Sequence, residues 1–192
     1  MNIGIDIDGV LMDDDTYRLD TMTKYCAENN LPSIDNPYKY ENKCNWSEKI
    51  IEDYRKKYYF EYVKNEPARK FASEVIEKLH QEGNRIIIIT GRYKTREDSD
   101  IGRQMREYTV SWLNKNKIIY DKICYAHCPK IKEIKENNID IMIDDSPEIL
   151  SEVSKITKTL CFDNRYNRNL DYKNMIRVFS WYDIYRVISN IL

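Results

Sequence analysis

Histidine is nearly absent from this sequence, and glycine and proline are scarce. The chain of 192 residues contains two histidines, His80 and His127, together with five glycines and five prolines. Two histidines are too few for a multi-histidine metal centre or a phosphohistidine relay. The low glycine and proline content excludes collagen-like and low-complexity chains. If this chain catalyses a reaction, we expect carboxylates to supply the acid–base and metal-binding groups.

An excess of charge of one sign and long apolar runs are also missing. The 31 Lys and Arg residues nearly balance the 32 Asp and Glu residues, for a net charge of -1. Such a chain has no whole-surface attraction for nucleic acid or anionic lipid, so any phosphorylated ligand must be bound locally. No apolar run approaches the about 20 residues of a membrane span, and no signal-peptide pattern precedes the first predicted strand. The sequence therefore predicts no contact with membranes and argues against nucleic acid as a partner.

The cysteines do not form a disulfide framework, because their number is odd and their spacing is irregular. They are Cys26, Cys44, Cys124, Cys128 and Cys161. This pattern favours a reducing, cytoplasmic location. Cys124 and Cys128 flank His127, but that spacing matches no usual zinc site and no second Cys/His pair follows. We therefore interpret these two cysteines as buried thiols.

Strand-like apolar runs alternate with amphipathic helical patterns along most of the chain. The run at 85–90 is continuously apolar and rich in isoleucine, which is typical of a strand buried on both faces of a parallel sheet. The predicted strands are 3–10, 85–90, 118–125, 139–143, 159–162 and 175–179, and the predicted helices are 16–29, 47–64, 72–81, 97–117, 129–137, 147–155 and 181–192. This alternation predicts an α/β fold with a doubly wound parallel sheet.

The block at 14–70 is the exception, because it contains no convincing strand. We predict that it forms a small helical cap inserted after the first strand, and that residues 1–13 and 71–192 form a Rossmann-like core. An acidic run at 13–15 precedes the first helix of this block, and we expect Asp14 or Asp15 to cap that helix.

Polar residues follow three of the predicted strands, at the edge of the sheet where ligands of such folds bind. They are Asp6 and Asp8 after the first strand, Thr90, Gly91 and Arg92 after the second, and Asp144 and Asp145 after the fourth, with Lys130 at the start of the preceding helix. Neighbouring carboxylates would repel one another by about 4 kcal/mol per pair at an intermediate dielectric. A hard divalent cation, Mg²⁺, would relieve this repulsion. The candidate metal ligands are Asp6, Asp8, Asp144 and Asp145.

These residues suit phosphoryl transfer. With a metal bound, Asp6 can attack a phosphoryl group and form an aspartyl-phosphate. Asp8 can protonate the leaving oxygen and then take a proton from water. The candidates for binding the phosphoryl oxygens and offsetting the transition-state charge are Thr90, Gly91, Arg92 and Lys130. Each piece alone also fits a strand-end turn, a helix cap or a solvated helix face, and it is their order on successive strand ends that favours catalysis.

Four segments resemble, in order, the four motifs of the haloacid dehalogenase superfamily of phosphohydrolases. They are 3–10, 89–92, Lys130 and 142–146. The resemblance extends over nearly the whole chain to the 5′(3′)-deoxyribonucleotidase family, through the aromatic stretch at 58–61, Glu66-Pro67 and the segment 180–183. It implies a Rossmann-like core, a Mg²⁺ cofactor and Asp6 as the nucleophile. An acid at the position of Asp8 is what the phosphatase members carry.

Two features depart from the deoxyribonucleotidase pattern. Gly91-Arg92 follows Thr90 where those enzymes have Ser-Pro. The Gly-Arg pair resembles the corresponding motif in the phosphatase domains of polynucleotide kinases. Two lysines, Lys130 and Lys132, are candidates for the lysine of the third motif. We favour Lys130 because it lies at the predicted helix start, beside the loop.

Aromatic residues of the predicted cap are candidates for contact with the leaving group. Stacking of a base on an aromatic ring contributes roughly 1–3 kcal/mol, and we single out Tyr40, Trp46 and Tyr59 for this role. The alternative is that aromatic residues at helical spacing pack the core of a short helical bundle.

The sequence therefore predicts a Mg²⁺-dependent phosphomonoesterase that acts on nucleoside monophosphates. A phosphatase for sugar phosphates, or for 3′-phosphate ends of nucleic acid, is the second enzymatic hypothesis. A non-enzymatic phospho-acceptor switch is the third, although such domains carry no comparable insertion. The sequence leaves the oligomeric state open, a homodimer included.

Overall fold

The computed structural model describes residues 1–32 and 46–191. The strands are β1 (Asn2–Ile5), β2 (Arg85–Thr90), β3 (Lys122–Tyr125), β4 (Ile141–Asp144), β5 (Lys158–Phe162) and β6 (Met175–Val178). The α-helices are α1 (Asp14–Glu28), α2 (Glu48–Tyr54), α3 (Phe60–Asn65), α4 (Ala72–Gln81), α5 (Asp100–Lys115), α6 (Ile131–Glu136), α7 (Pro147–Val153) and α8 (Trp181–Ser189). A π-helical turn, Arg55–Tyr59, links α2 to α3, and a 3₁₀ turn, Arg165–Asn167, follows β5.

The six strands form one parallel sheet in the order β3-β2-β1-β4-β5-β6. The chain builds outward from β1 through β2 to β3, and then crosses to the other side of β1 for β4. The strand order therefore reverses beside β1, which is where ligands bind in doubly wound sheets. The predicted α/β fold is confirmed.

Isoleucines cover both faces of the sheet. Ile86 and Ile88 of β2 point to one hydrophobic cluster, and the alternate residues Ile87 and Ile89 point to a second cluster on the opposite face. All four side chains are fully buried. The continuous apolar run of β2 reflects this burial on both faces, as the sequence predicts.

Between β1 and α4, the described part of the chain forms three helices, α1 to α3, and the π-helical turn. A third hydrophobic cluster forms within this block from Met22, Tyr25, Cys26, Trp46, Ile51 and Tyr54. The single helix predicted at 47–64 is interrupted by the turn Arg55–Tyr59. Such a turn shifts the helix face by one residue, and turns of this kind are frequent at functional sites. It brings Arg55 and Tyr59 to the wall of the cavity described below.

The start of α1 differs from the sequence prediction. Asp13 caps the helix, since its side chain accepts a hydrogen bond from the backbone N–H of Thr16 at 3.2 Å. Asp14 and Asp15 lie inside the first turn and pair with Arg18 and Arg165 instead. The expectation that Asp14 or Asp15 caps the helix is wrong, because only the carboxylate of residue 13 lies three residues before a vacant N–H group.

The helix predicted from residue 129 also begins later, at Ile131. Lys130 precedes it with a φ of 67°, a left-handed conformation that does not continue an α-helix. Among the described residues, no helix combines the length and apolar character needed to cross a membrane.

Candidate active site

A cavity of about 340 Å³ opens at the carboxyl ends of β1, β2 and β4. Most of the side chains predicted to converge here do line it. They are Asp6, Asp8, Gly91, Arg92, Lys130 and Asp145. Asp6 and Asp8 come from the loop after β1, and Asp145 directly follows β4, so neighbouring strands present them at one edge.

Lys130 lies between two buried carboxylates. Its Nζ donates to Asp6 Oδ1 at 2.6 Å and to Asp144 Oδ2 at 2.8 Å. The other oxygen of Asp144 accepts the backbone N–H groups of Asp145 and Ser146, at 2.9 and 3.0 Å. These bonds hold Asp144 rigidly beneath the cavity, so that Lys130 and Asp6 are fixed with it.

Together, burial and the neighbouring charges shift the pKa values of Asp6, Asp145 and Lys130 upward. Burial raises the pKa of Asp6 to about 7, against the lowering influence of Lys130, and the charges of Asp144 and Asp8 raise it further. Burial also raises the pKa of Asp145 well above its usual value, with Asp144 and Asp6 contributing. Burial disfavours the charged form of Lys130, but Asp144 and Asp6 outweigh it, so the pKa of the lysine lies above its usual value.

The donor set suits a hard divalent cation. One oxygen from each of Asp6, Asp144 and Asp145 lies within 4.8 Å of the others, and all three residues are buried. Among the described residues, Lys130 pairs with Asp6 and Asp144, whereas Asp145 has no ion pair, so the three carboxylates outnumber the ammonium groups that contact them. Oxygen ligands of this kind are those that Mg²⁺ prefers. We therefore find that the residues present fit a Mg²⁺ site.

The Asp8 side chain lies outside this group of three carboxylates. Arg92 donates to it twice, from Nη2 to Oδ1 at 2.7 Å and from Nε to Oδ2 at 3.1 Å. Burial would raise the pKa of Asp8, but Arg92 outweighs it and the pKa is lowered. The sequence predicts Asp8 as a metal ligand and Arg92 as a phosphate ligand. The structure instead pairs the two side chains, because the buried guanidinium needs a carboxylate partner.

Thr90 and Gly91 occupy different depths. Thr90 is fully buried, and its Oγ1 accepts the backbone N–H of Arg92 at 3.2 Å. It is not among the described residues that line the cavity, whereas Gly91 is. A Cβ at Gly91 would lie 3.1 Å from Cys128 Sγ, so glycine leaves room at this wall. The phosphate-binding role predicted for Thr90 stays a prediction, and the hydroxyl supports the loop.

The remaining candidates separate clearly. Lys132 points to solvent with a side chain that is 76% exposed, 3.9 Å from Glu136, so the structure places Lys130 and not Lys132 in the site.

Tyr59 lines the cavity. Trp46 is buried against Tyr25, with ring centroids 5.4 Å apart, and is not one of the described cavity residues. This packing matches the alternative of a helical-bundle core, and the specificity role of Trp46 stays a prediction. Tyr40 lies outside the described residues.

Several side chains in the site carry no sequence motif. Tyr166 lines the cavity and donates a hydrogen bond to Asp145 Oδ2. Asn164 donates to the same oxygen at 3.3 Å and to the Gly9 carbonyl at 3.1 Å. Both belong to the loop after β5, which sequence reasoning did not connect with the site. Its position, after a strand next to β4, is the signal that could have identified it.

Gly9 allows a close approach that we can test. Its φ is +85°, and a Cβ there would lie 2.0 Å from Asp145 Oδ2. Gly9→Ala should therefore displace Asp145 as well as strain the backbone, at a cost of about 2–4 kcal/mol in unfolding free energy. Urea denaturation measures the loss.

Gly83→Ala is the matched control for that substitution. Gly83 has a similar φ of +83°, but a Cβ there would meet no atom within 4 Å. This variant reports the backbone strain alone, about 1–2 kcal/mol. Equal losses for the two variants would show that Gly9 does not matter for the placement of Asp145.

Structural comparison identifies the class of protein that has this fold. The chain is similar to a haloacid dehalogenase-like hydrolase from Streptococcus pneumoniae, with a TM-score of 0.64 and 14% identity over 100% of this chain and 98% of that one. It is also similar to CbbY from Rhodobacter sphaeroides, solved in complex with phosphate, with a TM-score of 0.59 and 15% identity over 94% of each chain. The fold is that of the haloacid dehalogenase-type hydrolases.

Sequence comparison identifies the family. Residues 1–192 match the family described as 5′ nucleotidase, deoxy (Pyrimidine), cytosolic type C protein, and the chain belongs to it. A nucleotidase from Clostridium acetobutylicum is 28% identical over 193 residues, which cover 100% of this chain and 95% of that protein. The protein is thus a phosphoric monoester hydrolase of the nucleotidase type, and the sequence prediction of this enzyme class is confirmed.

Proposed function

We propose that this protein is a Mg²⁺-dependent nucleotidase that cleaves nucleoside monophosphates through an aspartyl-phosphate on Asp6. The observation that carries the proposal is the position of Asp6. Its carboxylate lines the cavity, receives Lys130 Nζ at 2.6 Å and lies in one group with Asp144 and Asp145. A nucleophilic carboxylate needs such a setting, in which positive charge screens its approach to an anionic phosphoryl group.

The reaction follows from the chain's own groups. An Asp6 oxygen attacks phosphorus while the bond to the leaving alcohol oxygen breaks, and Asp8, in its protonated form, gives that oxygen a proton. Asp8 then takes a proton from water, the water oxygen attacks phosphorus, and the bond to Asp6 breaks to release inorganic phosphate. Lys130 offsets the charge on the phosphoryl oxygens in both steps. Arg92 holds Asp8 by two hydrogen bonds and so orients it toward the cavity.

Mg²⁺ would be held by Asp6, Asp144 and Asp145, and when bound it supplies positive charge that stabilises the phosphoryl oxygens. The block at 14–70 would act as the cap. Its residues Arg18, Arg55 and Tyr59 line the cavity, where the leaving group would lie. The family description and the nucleotidase relative support a nucleotide as substrate.

A cytoplasmic location also belongs to this proposal. The cysteines within the described residues, Cys26, Cys124, Cys128 and Cys161, are all free thiols. The interpretation of Cys124 and Cys128 as buried thiols is wrong, because Cys128 is exposed and Cys124 only partly buried. Free thiols are typical of reducing compartments.

A substrate panel tests the proposal. Purified protein should release phosphate from nucleoside 5′-monophosphates in Mg²⁺, and excess EDTA should reduce the rate by at least about 100-fold, because the carboxylate group then lacks its cation. Phosphate detection measures both rates, with sugar phosphates and a 3′-phosphorylated oligonucleotide in the same panel. Preference for either of those would contradict the nucleotide assignment. A stable phosphoprotein after treatment with acetyl phosphate, without turnover, would favour the switch hypothesis.

A further inference from the structure

A small recess extends the catalytic cavity on the side of Asp8. Its volume is about 10 Å³, and it is lined by Asp14, Tyr17, Arg18, Tyr54, Tyr59 and Tyr62. Asp14, Arg18 and Tyr59 also line the catalytic cavity, so the two spaces adjoin. A volume of this size holds about one water-sized oxygen atom. The recess can therefore accept a single hydroxyl group but not a ring.

Asp14 offers an acceptor to this recess. The residue is buried, and its Oδ1 accepts a hydrogen bond from Arg18 Nε at 2.8 Å. Burial raises the pKa of Asp14, against the influence of Arg18, and the charge of Asp8 raises it further. A carboxylate this deeply buried is stabilised by a further hydrogen-bond donor.

Tyr62 offers the complementary donor. Its side chain is 1% exposed, and its hydroxyl approaches Asp8 without meeting the distance and angle of a regular hydrogen bond to any described residue. The hydroxyl is near enough to Asp8 to contribute to the lowered pKa of that carboxylate. Buried hydroxyls are normally hydrogen-bonded, so one without a partner beside a water-sized recess indicates a missing group.

A single alcohol group satisfies both residues, because a hydroxyl donates one hydrogen bond and accepts another. Asp8, which the proposed mechanism places at the leaving oxygen, is close to both Asp14 and Tyr62, since its charge raises the pKa of each. The occupant must therefore be carried by the leaving group, near the ester oxygen. A sugar hydroxyl of a nucleoside has this chemistry and position.

We propose that the recess binds one sugar hydroxyl of the leaving nucleoside, which donates to Asp14 and accepts from Tyr62. The inference rests on the proposed nucleotidase function and names the part of the substrate that the protein recognises. It makes Asp14 and Tyr62 specificity-determining residues. The enzyme then selects phosphomonoesters whose alcohol carries a second hydroxyl, and rejects analogues that lack it, because the two buried polar groups would be left unpaired.

Tyr62→Phe tests the proposal with little risk to folding, since it removes only a hydroxyl, and any change that it causes through Asp8 affects all substrates alike. The substrates are 5′-monophosphates of one nucleoside in its ribo, 2′-deoxy and 3′-deoxy forms, measured as kcat/KM in Mg²⁺. The wild type should prefer the hydroxyl-bearing member of one pair by about tenfold or more. Tyr62→Phe should reduce this preference by about 3- to 10-fold.

Tyr58→Phe is the matched control. Its hydroxyl is also buried without a partner among the described residues, but Tyr58 lines neither the cavity nor the recess. This variant should keep the preference of the wild type. As a second readout, Asp14→Ala should weaken inhibition by the hydroxyl-bearing nucleoside more than inhibition by inorganic phosphate, which carries no leaving group.

The outcomes separate the inference from the proposed function. Turnover that requires Asp6 but ignores every sugar hydroxyl would overturn the inference and leave the nucleotidase proposal standing. An equal preference in wild type and Tyr62→Phe would overturn it as well, because the recess would then hold water only. The absence of Asp6-dependent turnover on all nucleotides would instead overturn the proposed function.

Discussion

Asp6→Asn should reduce phosphate release by at least about 1,000-fold, as expected for loss of a nucleophile. The amide is neutral, so its oxygen does not attack phosphorus at a useful rate. The side chain keeps nearly the same volume, and Lys130 keeps its hydrogen bond to Asp144 at 2.8 Å. The variant should therefore fold. Phosphate release from a nucleoside 5′-monophosphate in Mg²⁺ measures the loss.

Asp100→Asn is the control for removal of a carboxylate elsewhere. Asp100 lies at the start of α5 with a side chain that is 99% exposed, so this variant should keep wild-type turnover. Acid quenching during turnover of a ³²P-labelled substrate adds a direct test. Label should remain on the wild-type protein and be absent from Asp6→Asn. Turnover by Asp6→Asn within tenfold of the wild type would remove Asp6 from the role of nucleophile.

The sequence allowed prediction of the residues at the sheet edge, because strand ends obey a geometric rule. Parallel strands end at one edge, so Asp6, Asp8 and Asp145 were expected to converge although they are far apart in the chain. The side-chain pairing within that edge was not predictable. Asp8 turns to Arg92, and Asp144 accepts Lys130, because burial requires each charge to find a counter-charge. That choice depends on packing and not on order along the chain.

Other features were hidden for different reasons. A helical period does not distinguish Tyr58 from Tyr62, but Tyr58 lies in the π-helical turn Arg55–Tyr59 and Tyr62 in the helix that follows it. Tyr166 and Asn164 reach Asp145 from a loop that resembles no motif. The sequence predicts Asp14 as a helix cap, whereas the structure has it in the cavity wall. For Tyr166 and Asn164, a long-range contact determines the role.

The charge arrangement around Lys130 leads to the second large effect. Lys130 is 1% exposed and is the ammonium that lies between Asp6 and Asp144. Lys130→Met fills a similar volume but leaves two buried carboxylates without their counter-charge. We expect the free energy of unfolding in EDTA to fall by about 3–5 kcal/mol, as for other broken buried ion pairs. Urea denaturation measures the change.

Mg²⁺ should restore part of that stability, because a cation that binds the folded carboxylates stabilises the folded state. Activity should nevertheless stay about 100- to 1,000-fold below the wild type in saturating Mg²⁺, since the charge opposite the phosphoryl oxygens is lost. Lys132→Met is the matched control, with its side chain 76% exposed, and should change neither stability nor turnover. If the two variants behave alike, Lys130 neither balances the charge of the site nor contributes to catalysis. Because the two lysines lie two residues apart near the start of α6, the comparison isolates burial between the carboxylates as the cause.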